Sequence, residues 1–289
     1  MKAVMDNCNI NKRVRLILGL NEENDWKCIN YYKKHEEAPT ISFSPDADFP
    51  CIYAEKGILT LYFNMDYSKT ANDSIVLEYA NCNNNAINVV PKFSSCVLKI
   101  DNNRISSSEF IKNLKNIISK HEFEIDIYKI NDKRIKLTSY GLQAHSAHPD
   151  LGINAISRLI VVLDEIFKIY NINNEFFDFF NKNINIQYNG KDMGIYCEDE
   201  SGGLTLNVGN FEFDTENSYL KFGVNLRVPV NTSLDNIEKS VKKLLEKYPN
   251  ISLKVAGRKE PLNVSKDSYL VKTLCKIYND ITKSNAEPI

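Results

Sequence analysis

The sequence predicts an α/β outer domain interrupted by an inserted α+β domain, an antiparallel sheet with helices on one face. Three observations predict it. A texture of alternating apolar residues begins at Ile58. From there to Val255 the order reads strands, helix, strands, helix, strands, helix, strand. From about Pro261 the chain returns to one amphipathic helix. The expected organisation is therefore an outer piece over 1–57, an inserted domain over 58–258 and a second outer piece over 259–289.

The elements follow in order. Val14 to Leu18 is a largely apolar run that reads as a buried strand, punctuated by Gly19. Cys28 to Lys34 reads as a helix, with Ile29, Tyr31 and Tyr32 available for one buried face. Pro39 to Phe43 is a short strand, and Glu55-Lys56-Gly57 a turn. Ile58–Asn64, Ser74–Tyr79 and Ser95–Ile100 are strands. Ser106 offers a helix N-cap, and Phe110, Ile111, Leu114, Ile117 and Ile118 recur at helical spacing as far as His121. Glu122–Ile130 and Arg134–Tyr140 form a hairpin turned at Asn131-Asp132. The loop from Gly141 to Pro149 feeds a long apolar-faced helix, Ile153 to about Tyr170, and four phenylalanines between Phe176 and Phe180 mark a shorter one. Leu204–Phe213 and Tyr219–Val228 are strands. Thr232 or Ser233 caps a helix to about Lys247, Ile251–Val255 is a strand, and Ser268–Ile281 is the closing helix.

Composition excludes several classes. Lys+Arg 36 against Asp+Glu 37 leaves a formal net charge of -1, so nothing draws the chain to nucleic acid or an anionic membrane. The seven cysteines are scattered, odd in number and without a C-x-x-C pair, which suits reduced thiols and a cytoplasmic location. No apolar run is long enough to cross a bilayer, and the N-terminus lacks the apolar core of a secretory signal.

Four places could carry chemistry. Glu22 and Glu23 stand side by side, so one carboxylate could hold a metal while the other moves a proton, although glutamates also suit the start of a helix. Asp46 and Asp48 are either further ligands or ordinary turn residues beside proline. His145 and His148 share one loop and are either ligands or local polar contacts. Arg227 ends an apolar strand, where it is a solvated rim charge or a clamp on a carboxylate.

Taken together, Asn21-Glu22-Glu23-Asn24-Asp25-Trp26, Ser44-Pro45-Asp46-Ala47-Asp48-Phe49-Pro50 and Glu55-Lys56-Gly57 resemble the zinc dipeptidases of the bacterial dipeptidase V type. That group lies within the aminoacylase, carnosinase and carboxypeptidase G clan. Asn88-Val89-Val90-Pro91, Ala144-His145-Ser146-Ala147-His148-Pro149 with Gly152 to Ile156, Leu204 to Gly209, and Asn225-Leu226-Arg227-Val228-Pro229 are similar to further stretches of it, in order along the chain. The resemblance implies a partial zinc-exopeptidase catalytic domain with an inserted lid over 58–258. It implies two zinc ions, with Glu22 as general base, Glu23 as ligand of one zinc and Asp46, rather than Asp48, as ligand of the other. His145 would stabilise the oxyanion, and Asn88 and Arg227 would hold an unblocked dipeptide, Arg227 by its C-terminal carboxylate.

The resemblance also carries departures. The group has a His-x-Asp motif and a bridging Asp before the acidic pair, and a Gly-rich segment and a final His beyond the equivalent of Ile289. The expectation is a chain truncated at both ends, with zinc bound weakly or not at all and hydrolysis weak or absent. Two alternatives stand beside dipeptidase: an aminoacylase or carboxypeptidase of the same clan, and a non-catalytic peptide-binding or association module. Exposed apolar faces of an incomplete outer domain, near Val14–Leu18, would then favour self-association.

Overall fold

A computed structural model describes residues 11–20, 27–46, 48–66, 74–82, 86–214 and 218–289. Their contacts divide the chain into two compact units, Met1–Ala47 and Asp48–Ile289.

In the first unit one helix is described, α1 (Lys27–His35). Tyr31 and His35, one turn apart, stack at 3.9 Å. Arg15 bonds the Tyr32 hydroxyl and pairs with Glu36 at 3.2 Å. The strands expected at Val14–Leu18 and Pro39–Phe43 are not formed; Leu18 is 79% and Phe43 65% exposed. A strand persists only where a neighbour takes up its backbone N–H and C=O groups, and no ladder among the described residues includes this region.

The second unit is built on β1 (Ala54–Glu55), β2 (Gly57–Asp66), β3 (Ile75–Asn81), β4 (Phe93–Ile100), α2 (Ser107–His121), β5 (Ile125–Lys129), β6 (Arg134–Tyr140), α3 (Ala155–Ile169), α4 (Glu175–Asn183), β7 (Glu198–Asp199), β8 (Gly202–Gly203), β9 (Thr205–Asp214), β10 (Tyr219–Val228), α5 (Leu234–Leu245), β11 (Ile251–Lys259), β12 (Leu262–Asn263) and α6 (Tyr269–Thr282). The element order expected between Ile58 and Val255 is therefore observed. β2, β10, β9, β3, β4, β6, β5 and β11 form one antiparallel sheet in the order β11-β2-β10-β9-β3-β4-β6-β5. Alternate residues of its strands, among them Leu59, Leu61, Phe63, Leu98, Leu137, Phe222 and Leu226, share one buried cluster with α2, α3, α4 and α5, which places these helices on one face.

The sheet reads alike from both edges. β3 and β4 are a hairpin followed by α2, the outer strand β5 and the inner strand β6. β9 and β10 are a hairpin followed by α5 and the outer strand β11, and the inner position is filled by β2, from far earlier in the chain. The halves meet where β3 pairs with β9, among the described residues only at Ala80↔Phe213 and Asn81↔Glu212. The core helix α3 packs on β4, β6 and β9 and so straddles this seam.

Aromatic packing anchors the β2–β10 half. Phe222 lies 4.7 Å from Phe63, 5.1 Å from Phe176 and 5.3 Å from Phe180, ring centre to ring centre. The latter two sit on α4, whose start is fixed by Asn174 accepting from the Phe176 and Phe177 amides. Outside the sheet, β1 pairs with β12, and the Ile289 backbone bonds Cys51 and Tyr53. No described helix is long and apolar enough to cross a membrane.

Candidate functional site

The face of the sheet turned away from the helices is apolar neither in sequence nor in structure. Asn207, Asn225 and Thr60 are register partners on β9, β10 and β2, and form a row across three strands. All three are buried, at 1%, 2% and 8% exposure. Buried amides and hydroxyls need partners, and here the partners are two loops.

The first loop carries Asn88. The Asn207 Nδ2 donates to the carbonyls of Ile87 at 3.1 Å and Val89 at 3.0 Å, on either side of Asn88. Gly209 and Gly223 make room for the approach: a Cβ on Gly209 would stand 2.3 Å from the Ile87 carbonyl oxygen, and one on Gly223 2.7 Å from the Ile87 Cδ1. The Asn207 Oδ1 accepts from Asn154, the N-cap of α3, at 3.2 Å. The second loop carries His145 and lies against the first: Val90 N–H donates to the Ala144 carbonyl and Ser146 N–H to that of Asn88. Ser146, fully buried, donates its hydroxyl to the Asn225 Oδ1 at 2.9 Å, and the Asn225 Nδ2 continues to Thr60 Oγ1 at 3.2 Å. Thr205 Oγ1 donates to the Ser146 carbonyl at 3.2 Å.

Arg227 is the next residue of β10 on this face, opposite Thr205 and Ile58. Its Nη2 donates to Ser146 Oγ at 3.3 Å, while its Nε is buried with no hydrogen-bond partner among the described residues. Burial pushes the guanidinium below its ordinary range, and Glu55 opposes this. A partly desolvated guanidinium with an unpaired N–H is a receptor for an anion. His145 is the nearby second group. Burial, then Arg227, then His148 hold its imidazole below the ordinary value of 6.5. Its Nδ1 accepts from the Ala147 N–H at 3.2 Å, which leaves the proton on Nε2, a donor. Asn88 is exposed, and its side chain makes no hydrogen bond among the described residues.

His145, Arg227 and the Asn88 loop are thus joined through one polar framework. Glu22 and Glu23 lie outside the described residues. Asp46 is an exposed residue of the first unit, and Asp48 is exposed in the second. Among the described residues no group of three or more His, Cys, Asp and Glu side chains could hold a metal ion. The described residues therefore do not make up the expected zinc centre. Sequence reasoning missed Thr60, Ser146, Asn207 and Asn225. The available signal was a polar residue at a strand position whose neighbours are all apolar, as in Leu206-Asn207-Val208. A cavity of about 180 Å³ where the loops meet α3 is lined by Val90, Asn154, Arg158, Gln187, Leu206 and Asn207; neither His145 nor Arg227 reaches it.

Comparison with known proteins agrees with this region. Residues 132–251, from within the β5–β6 turn to the first residue of β11, match the M20 family described as the peptidase dimerisation domain. "Putative dipeptidase YtjP" of Bacillus subtilis (strain 168) is 34% identical over 280 residues, covering 96% of this chain and 58% of its own length. "Putative dipeptidase SH1171" of Staphylococcus haemolyticus (strain JCSC1435) is 29% identical over 284 residues, with the same two coverages. The chain thus spans less than two thirds of the length of these relatives. Among solved structures, the aminoacylhistidine dipeptidase from Vibrio alginolyticus aligns with 82% of this chain and 50% of its own at 10% identity and a TM-score of 0.33, too slight a likeness to argue from. Residues 132–251 are thus similar to the M20 peptidase dimerisation domain, within a chain similar over 96% of its length to a bacterial protein named as a dipeptidase.

Proposed function

We propose that this chain binds unblocked dipeptides and serves their metal-dependent hydrolysis, with residues 58–258 as the lid between outer pieces 1–57 and 259–289. The observation that carries the reading is Arg227: half-buried, among the described residues without a carboxylate bonded to it and with its Nε unsatisfied, and close enough to His145 to add to burial in holding that imidazole's pKa down. Arg227 takes the C-terminal carboxylate of the dipeptide. The His145 Nε2–H donates to the carbonyl oxygen on which negative charge develops, a role that requires a donor already in place. Asn88, held out on a loop fixed at both flanking carbonyls, offers its free amide to the peptide.

The metal part of the reading rests on the resemblance alone. It assigns the general base to Glu22 and zinc ligation to Glu23 and Asp46; a zinc pair would supply an acidified water. Titration of the protein with unblocked Ala-Ala, with its C-terminal amide and with its N-acetyl form, in the presence of a chelator, tests the binding part. Ala-Ala binding at least tenfold tighter than its amide supports the clamp, and equal affinity for the two overturns it. Dipeptide hydrolysis measured alongside bound zinc tests the rest: turnover that survives complete removal of metal overturns metal dependence.

A second reading, a self-associating module without catalysis, is favoured by the match to a peptidase dimerisation domain. Sedimentation over a range of concentrations distinguishes it, with a concentration-dependent dimer and no dipeptide binding as its signature.

A further inference from the structure

We propose that Ser146 is a positioning residue, which aims the Arg227 guanidinium and fixes the adjoining His145, so that both groups address one ligand. The identity of the ligand rests on the dipeptide reading above; the positioning itself does not.

The argument starts from the strands. Arg227 stands in register with Thr205 and Ile58, and neither offers it a charge. The carboxylate that acts on its charge is Glu55, on the short strand β1, where it is exposed and pairs with Lys259 at 3.1 Å. A free arginine side chain would turn toward that carboxylate, since opposite charges attract over several ångströms and a long side chain has the rotamers to follow. Among the described residues its one side-chain hydrogen bond is to the Ser146 hydroxyl. A serine hydroxyl has one proton to give, and Ser146 gives it to Asn225. The oxygen lone pairs are then left for Arg227, so the direction of the Ser146–Asn225 bond decides that Ser146 accepts from the guanidinium. Asn225 is itself held by Thr60. The chain Thr60–Asn225–Ser146–Arg227 is thus oriented from its buried end outward, and its members apart from Arg227 are buried.

The same serine places His145. Its N–H bonds the Asn88 carbonyl and its carbonyl accepts from Thr205, so the backbone just after His145 is tied on both sides. The charged or titratable groups acting on the His145 ring are Arg227 and His148. Any swing of Arg227 toward Glu55 therefore registers at the imidazole.

The test follows the His145 imidazole by NMR titration in the wild type, Ser146→Ala, Ser146→Thr, Thr60→Val and Arg227→Met. Loss of Arg227 raises the His145 pKa and sets the full scale. Ser146→Ala is expected to raise it by at least half of that scale, with the restored hydroxyl of Ser146→Thr returning it toward wild type. Thr60→Val, nearly isosteric, acts in the same direction by a smaller amount and serves if Ser146→Ala fails to fold. In parallel, Ala-Ala affinity is expected to fall about tenfold in Ser146→Ala, the scale of one hydrogen bond to a charged group. A merely structural serine would lower stability without moving the imidazole. Unchanged His145 titration in both Ser146→Ala and Thr60→Val overturns the proposal. If the wild type binds no dipeptide, the function reading fails and the imidazole titration alone still decides the positioning.

Discussion

Two arginines stand on the two halves of the sheet and are treated in opposite ways. Arg134 on β6 meets Glu78 on β3 with two parallel bonds, Nε to Oε2 at 2.6 Å and Nη2 to Oε1 at 3.0 Å, in solvent. Arg227 on β10 is partly desolvated, shares one serine hydroxyl and has an Nε with nothing to donate to among the described residues. The halves repeat one arrangement of hairpin, helix, outer strand and inner strand, so the difference does not come from the fold. It comes from side chains: one half supplies a carboxylate two strands over, across β4, and the other supplies a polar row and two loops. An arginine whose partner is built in stabilises the protein. An arginine whose partner is left out is held ready for something else.

The largest effect tests whether the halves are one body. Phe222→Ala removes the ring shared by Phe63, Phe176 and Phe180 and should cost about 3–5 kcal/mol. Because α3 spans the seam, urea unfolding followed by near-UV circular dichroism should still show one transition. Two transitions would mean that the halves unfold separately. Next comes Arg227→Met, expected to weaken Ala-Ala binding about 100-fold by calorimetry, as for a lost charge-assisted bidentate pair. Unfolding stability should not fall, since the substitution removes a buried charge without a counter-charge. A loss of stability with unchanged affinity would make Arg227 a structural residue like Arg134.

A smaller effect is expected from pH. The folded pKa of His145 lies below the unfolded value near 6.5. Between the two, the unfolded state binds more protons, so the His145 contribution is complete above pH 6.5 and lost as pH falls through the folded pKa. Urea midpoints of wild type and His145→Gln, compared from pH 7.5 to pH 5, should converge on acidification; parallel curves would refute the shift. The smallest effect is that of Arg134→Met, which should leave dipeptide affinity at the wild-type value. An affinity loss there would erase the contrast between the halves.

Much of this was legible in the sequence. Alternation located β2, β4, β9 and β10, and helical spacing located α2 to α6, because a sheet with one covered face and a helix with one buried side impose their periods on the residues. The apolar run Val14–Leu18 misled, since apolar content specifies a strand only with a neighbour to pair with. His145, Asn88 and Arg227 were legible as motif residues. What joins them was not: the partner of Asn225 is Thr60, 165 positions away, and that pairing exists only once β2 lies beside β10. The desolvation of Arg227 is likewise a property of the folded sheet and of no short segment. Ser146 stood in plain view between two noticed residues, and only its burial shows that its hydroxyl faces inward.

The borrowing of β2 by a half-sheet completed far downstream has a consequence for biosynthesis. β3 to β6 are contiguous and can pair as they leave the ribosome. Ile58-Leu59-Thr60-Leu61-Tyr62-Phe63 emerges before them, yet of its neighbours β10 begins at Tyr219, about 160 residues later, and β11 at Ile251, later still. At ~5–20 residues per second that is a wait of roughly 8–30 s for a sticky, partnerless segment. The nascent chain is therefore most exposed to misassociation, and most in need of a chaperone, while its middle is already structured.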